Sequence, residues 1–128
     1  MVPWRYFLLV VALGLVAQTE AQPLSPIAAR KKVGEKVTVE MKVQTVKDRL
    51  EKKGEIYLDA ELDFRDEKNF AVVITRAGAA SLREAGVNDA AEHFSGKTIR
   101  ATGLVKEVDK VPRIEIDEAK QIKVVEPK

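Results

Sequence analysis

The sequence predicts an all-β protein: a five-stranded Greek-key barrel with a short helix between strands three and four. Three observations predict it. Apolar and polar residues alternate with period two along most of the chain, the signature of half-buried strands. Over residues 77–94 that alternation gives way to apolar residues at helical spacing. Gly103 falls in the middle of the fourth alternating run, where a small barrel needs a sharp bend or bulge.

The elements follow in order. Val37, Val39, Met41 and Val43 share one face of the first strand, with Thr38, Glu40, Lys42 and Gln44 on the other. Residues 47–55 are strongly charged and end in Lys53-Gly54-Glu55, which reads as a loop closed by a turn. In the second strand Ile56, Leu58, Ala60, Leu62 and Phe64 face one way; Tyr57, Asp59, Glu61 and Asp63 face the other. Residues 65–69 are a polar turn. Residues 70–75 are apolar on both faces, so the third strand is covered on both sides. The first three strands make an antiparallel meander.

Ala79, Ala80, Leu82 and Ala85 mark a short helix, and Gly86-Val87-Asn88 interrupts it. A second turn follows, capped by Asn88 or Asp89 and ending at Ser95-Gly96. Ile99, Ala101, Gly103 and Val105 face inward in the fourth strand, with Leu104 on the outer face. A turn at residues 109–112 leads to a fifth strand through Ile114 and Ile116, and residues 121–125 add a short final strand. Three strands, a helix, then two strands is the element order of the OB-fold.

The N-terminus lies outside this scheme. A short start containing Arg5 precedes 12 apolar residues, 6–17. About 20 are needed to span a bilayer, so the run fits the core of a secretory signal peptide. Thr19 and Ala21 supply small residues at the −3 and −1 positions. The expected organisation is a signal peptide over 1–21, a flexible leader over 22–33 and an OB-fold domain over 34–126. Export to the periplasm or the extracellular space follows, with no membrane span after cleavage.

Composition narrows the chemistry. The 128 residues carry 22 Lys+Arg against 20 Asp+Glu, one histidine and no cysteine. No disulfide, thiolate metal site or thiol nucleophile can form. A net charge of +2 argues against binding nucleic acid by bulk electrostatics. Ser95, His93 and Asp89 lack a nucleophile elbow, and no phosphate loop, dinucleotide fingerprint or zinc motif is present. The expectation is a non-enzyme with no cofactor and no metal site.

The run Gly96-Lys97-Thr98-Ile99-Arg100-Ala101-Thr102-Gly103, followed by Pro112-Arg113-Ile114, resembles a family of small exported bacterial OB-fold domains. Gly34-Glu35-Lys36-Val37-Thr38-Val39-Glu40, Phe70-Ala71-Val72-Val73-Ile74 and Gln121-Ile122-Lys123-Val124-Val125 extend the resemblance over residues 34–126. Met41 stands where that family often carries glycine. These domains are themselves similar to the anticodon-binding type of nucleic-acid-binding OB-fold. The resemblance implies a binding module for single-stranded nucleic acid or another anionic oligomer; the alternative is a protein-interaction module with a partner in the bacterial envelope.

Such a site lies on the outer face of strands two and three, between the loops after strands one and four, and uses aromatic platforms and basic residues. Tyr57, Lys52, Lys53, Arg100, Lys110 and Arg113 are the candidate ligand-binding residues. Phe64, Phe70 and Phe94 are assigned to the core. Asp59, Glu61 and Asp63 share the outer face of strand two, where they would repel phosphates. A hard cation could use them, but pairing with Arg100 or Lys42 across strands explains them as well.

Overall fold

A computed structural model describes residues 22–126; the expected signal segment and its cleavage site lie outside them. Among the described residues seven strands build the barrel: β1 (Lys36–Lys42), β2 (Thr45–Arg49), β3 (Glu55–Asp59), β4 (Ala71–Thr75), β5 (Thr98–Val108), β6 (Val111–Ile116) and β7 (Ile122–Val124). Their lateral order is β1-β5-β6-β4-β3-β2, with β7 added beside β5. All pair antiparallel except β4 with β6, which run parallel from Ala71↔Arg113 to Ile74↔Ile116.

β1 and β2 together do the work of one bent strand. At the bend Val43 donates its N–H to Lys97 O (2.9 Å), toward the β5 side. Gln44 donates to Asp59 O (2.9 Å), toward β3. One strand thus feeds both ends of the sheet and closes it. This is the five-stranded Greek-key connectivity of the OB-fold, with strand one in two pieces and β7 as an addition.

Alternation places the core. Val39, Leu58, Phe70, Ile74, Phe94 and Ile114 are fully buried inside the barrel. Four consecutive residues of β4, Ala71 to Ile74, are buried, so this strand is covered on both faces as its sequence implies. Helix α3 (Arg76–Glu84) follows β4 directly, after the short helices α1 (Pro26–Ala29) and α2 (Leu50–Lys53) earlier in the chain; α4 (Ala90–Phe94) completes the connection to β5. Thr75 caps α3 by accepting from Gly78 N (3.1 Å). Asp89 caps α4 by accepting from Glu92 N (3.1 Å), and α4 delivers Phe94 to the core.

Four expectations are corrected. Residues 47–55 are not a simple loop: β2 runs through Lys47 to Arg49, and α2 ends at Gly54, whose φ of 72° is left-handed. An edge strand with its charges in solvent tolerates this composition. Strand two stops at Asp59, and residues 60–69 form a loop although alternation continues to Phe64. Asp63 Oδ1 accepts Arg65 N (2.9 Å) and Asp66 Oδ1 accepts Lys68 N (2.8 Å); such side-chain turns compete with the ladder.

The third correction concerns residues 22–33, expected as a flexible leader. Leu24 pairs with β1 through Leu24 N→Thr38 O (2.8 Å) and Glu40 N→Leu24 O (2.9 Å), and Ala29 is fully buried. The segment covers a β1 edge that β3 is too short to reach. Fourth, the β1–β5 register passes unbroken through Gly103, opposite Val37. Of the bend or bulge expected there, the bulge does not form. A Cβ at Gly103 would lie 2.8 Å from Ile114 Cγ2, so glycine is required by a close approach where β5 passes from β1 to β6.

Candidate functional site

The outward residues of β2, β3, β4 and β6 form the floor and one rim of a groove of ≈ 590 Å³. Val73 and Ala71 lie at the bottom. Lys47 stands opposite Tyr57, and Tyr57 opposite Val73. Arg49 and Lys53 extend the rim beside α2, and Val108, Asp109 and Val111 from the β5–β6 turn close the other side. The groove therefore lies on the expected face, between the expected loops.

Its charge is mixed: Lys47, Arg49, Lys53 and Arg113 against Glu55, Asp59 and Asp109. Two of these carboxylates, Glu55 and Asp59, already accept hydrogen bonds within the protein. Glu55 Oε2 accepts from Arg113 Nη2 (3.0 Å), and Glu55 Oε1 accepts from the Tyr57 hydroxyl (2.5 Å). Arg113 also donates to Glu115 Oε2 (2.6 Å), and Glu115 Oε1 accepts from Lys106 Nζ (3.0 Å). The Glu55 hydrogen bond, with burial second, raises the Tyr57 pKa above its ordinary value, so the phenol stays protonated and uncharged at neutral pH.

Asp59 does not share a solvent face with Glu61 and Asp63. It is buried and accepts from Asn69 Nδ2 (3.0 Å). Asn69 in turn donates to Phe64 O (3.2 Å) and accepts Glu61 N (3.1 Å), while Arg30 donates to its carbonyl. Asn69 thus pins loop 60–69. Among the described residues, no group of three or more His, Cys, Asp or Glu side chains is placed to hold a metal ion.

Burial raises the Asp59 pKa, against the opposing pull of Asn69 and Lys47. A carboxyl with a raised folded pKa contributes most below its unfolded pKa, and that contribution is lost as pH rises through the folded value. Asp59→Asn keeps an acceptor for Asn69 and removes the charge. The variant should therefore gain stability on the wild type between acid and neutral pH. Urea unfolding at about pH 4 and about pH 7 measures this; a gap that stays constant, or that moves the other way, would refute it.

Phe64 corrects the assignment of this ring to the core. It is 43% exposed at one end of the groove, with Lys47 Nζ 3.8 Å above its ring centre. Of the candidate residues, Tyr57, Lys53 and Arg113 come together here. Lys52 is exposed on α2 but does not line the groove. Lys110 is exposed in the β5–β6 turn with φ 68°, next to Asp109. Arg100 is elsewhere: it projects from the β1–β5–β7 sheet, its Nε donating to Glu40 Oε1 (2.8 Å). Lys47, Arg49 and Phe64 are the groove residues missing from the candidate set. Val46 following Val43 hinted at a strand past the bend, which would have turned Lys47 and Arg49 toward Tyr57.

No known protein family and no curated protein matches the sequence. Solved structures do. The aspartyl-tRNA synthetase of Entamoeba histolytica matches 86% of this chain and 22% of its own, at 15% identity and TM-score 0.53. The asparaginyl-tRNA synthetase of Pyrococcus horikoshii matches 83% of this chain and 23% of its own, at 12% identity and TM-score 0.54. OBody AM1L10, solved bound to hen egg-white lysozyme, matches 85% of this chain and 98% of its own, at 13% identity and TM-score 0.55. The chain thus spans under a quarter of either synthetase. Likeness at these identities shows the fold alone, the OB-fold.

Proposed function

We propose that this chain is a non-catalytic binding module whose groove over β2, β3 and β4 takes an extended anionic oligomer, single-stranded nucleic acid foremost. We further propose that it is exported, on the pattern of residues 1–21. The observation that carries the binding proposal is the pairing of aromatic surface with cations. Tyr57 lies in the groove, Phe64 lies exposed at its end, and Lys47, Arg49 and Lys53 stand along the rim. Stacking platforms beside positive charge are what single strands require. The carboxylates Glu55 and Asp59 are already hydrogen-bonded within the protein, which lessens their repulsion of phosphates. The tRNA synthetases of like fold act on a nucleic acid by name, which is consistent with this use of the groove.

Titration of a fluorescent oligothymidylate at low salt tests it. Binding should weaken steadily with added salt, and Tyr57→Ala should weaken it about tenfold, the scale of one lost stacking partner. Absence of binding at high micromolar protein, or binding indifferent to salt, would overturn it.

A second function, a protein-interaction module with an envelope partner, draws on loop 60–69. Leu62 is 80% exposed beside the exposed Phe64, more apolar surface than stacking needs. OBody AM1L10 is a protein of this fold solved on a protein target. Leu62→Ser separates the two functions: oligonucleotide affinity is untouched under the first and partner capture is lost under the second.

A further inference from the structure

The more purely basic concavity is on the opposite side of the barrel. A depression of ≈ 320 Å³ lies on the outer face of the β1–β5–β7 sheet, where Thr38, Arg100, Thr102, Lys120, Gln121 and Lys123 line it. Among the described residues, three cations line it and no carboxylate does, whereas the groove over β3 mixes both signs. Register explains the gathering. Thr38 faces Thr102 across β1 and β5, and Arg100 is flanked by Glu40 on one side and Lys123 on the other.

The polar groups here are partly committed and partly free. The two threonine hydroxyls lie 2.8 Å apart. One donates to the other, so one hydroxyl hydrogen is left over. Arg100 Nε is held by Glu40 (2.8 Å), and neither terminal guanidinium nitrogen donates to a protein group among the described residues. Gln121 is fully used: Nε2 donates to Thr102 O (3.0 Å) and Glu115 O (3.1 Å), while Oε1 accepts Asp117 N and Glu118 N. It forms a fixed wall. Lys120 reaches Glu118 at 3.5 Å with both side chains mostly in solvent, a contact that holds the ammonium weakly.

We propose that this depression is a phosphate-binding site, separate from the groove over β3. A tetrahedral oxyanion accepts the leftover threonine hydrogen and the Arg100 terminal N–H groups, and Lys120 and Lys123 close over its charge. Charge-assisted donors of this kind are the strong ones. Glu40 fixes the guanidinium by its Nε edge and leaves the other edge for the ligand. The site takes a phosphate group whether free or within a phosphodiester.

The test is a chemical-shift titration of the isotope-labelled protein with inorganic phosphate, with a short oligothymidylate, and with sodium chloride at matched ionic strength. Phosphate should move the amides of Thr38, Arg100, Thr102 and Lys123 saturably, and chloride should not. Lys120→Glu with Lys123→Glu should weaken phosphate at least tenfold, while Tyr57→Ala leaves it unchanged. Arg100→Gln, which keeps a polar partner for Glu40, should weaken it as well. If only phosphate moves these amides the ligand is free phosphate; if the oligomer moves them too, the ligand is a phosphodiester; both outcomes uphold the site. Shifts that chloride reproduces, or that survive both the double charge reversal and Arg100→Gln, overturn it. Failure of the oligothymidylate at the Tyr57 amide alone counts against the groove proposal and leaves this site standing.

Discussion

Gly78→Ala is expected to destabilise the protein by about 2–3 kcal/mol, the upper part of the usual range for forcing an extra carbon into a packed interior. For a domain near 100 residues that is a fall in Tm of roughly 10–20 °C. The sign runs against helix propensity, since alanine in a helix is favoured over glycine by about 1 kcal/mol. Packing decides. A Cβ at Gly78 would sit far inside contact distance of the Ile116 carbonyl oxygen, 2.9 Å from its carbon and 3.3 Å from Ile74 Cγ2. Neither backbone can yield cheaply. Ile116 pairs with Ile74 in the parallel ladder, and its carbonyl oxygen lies 3.1 Å from the Thr75 hydroxyl. That same hydroxyl caps α3 at Gly78 N. Moving α3 outward breaks the cap; moving β6 opens the parallel pair. Gly86→Ala is the control. Gly86 has φ 98° and, among the described residues, nothing within 4 Å of an added Cβ, so it reports backbone strain of about 1–2 kcal/mol without packing. Urea denaturation of the two variants checks the order. A Gly78→Ala protein as stable as the wild type would mean that α3 does not rest on β6.

The barrel was legible because its inward residues obey period two. Val37 to Val43 and Ile99 to Val105 show which side chains turn in, and the doubly apolar run at Phe70 shows which strand lies at the centre. Alternation does not say where a strand stops. Leu62 and Phe64 continue the pattern of Ile56 and Leu58, yet Asp63 and Asp66 bend the backbone through their own side-chain hydrogen bonds. Two apolar residues are left outside. The opposite error occurred at β2, where Lys47 and Arg49 looked like loop because strand residues there need bury nothing on their outer side.

The candidate site was legible for the same reason and failed where curvature enters. Tyr57 and Arg113 could be placed on an outer face from sequence, and both line the groove. Arg100 is also outward, but a closed barrel has outward faces pointing in opposite directions. The bend at Val43–Gln44 carries β1 to the far side, and β5 follows it by pairing Arg100 with Glu40. A list of outward residues divides into two faces only when closure is known. Phe64 escaped because exposure of an aromatic ring depends on the end of its strand.

Arg113→Met is expected to cost about 2–3 kcal/mol at neutral pH, the scale for losing hydrogen bonds to charged partners. Arg113 is 13% exposed and bridges Glu55 and Glu115, themselves 23% and 22% exposed. Methionine keeps much of the length and none of the charge. Glu55 retains the Tyr57 hydroxyl and Glu115 retains Lys106, but the shared cation between two half-buried carboxylates is gone. Removing one member of such a cluster costs more than the cluster is worth. Burial alone would raise the Glu115 pKa, and the hydrogen bonds from Lys106 and Arg113 outweigh it, so the value is lowered. A lowered carboxyl contributes stability above its unfolded pKa and loses it as pH falls through the folded value. The variant's deficit should therefore be full at neutral pH and shrink in acid, as Glu115 takes up its proton. Glu55→Gln with Arg113→Met and Glu115→Gln should recover much of the loss. The wild-type cluster is itself imperfect, because the buried Arg113 Nε has no hydrogen-bond partner among the described residues, so an uncharged replacement has less to match. Denaturant unfolding of both variants across pH separates the cases. A deficit independent of pH, or a triple variant no better than the single, would show that Arg113 acts by filling space in the groove and not by its charge.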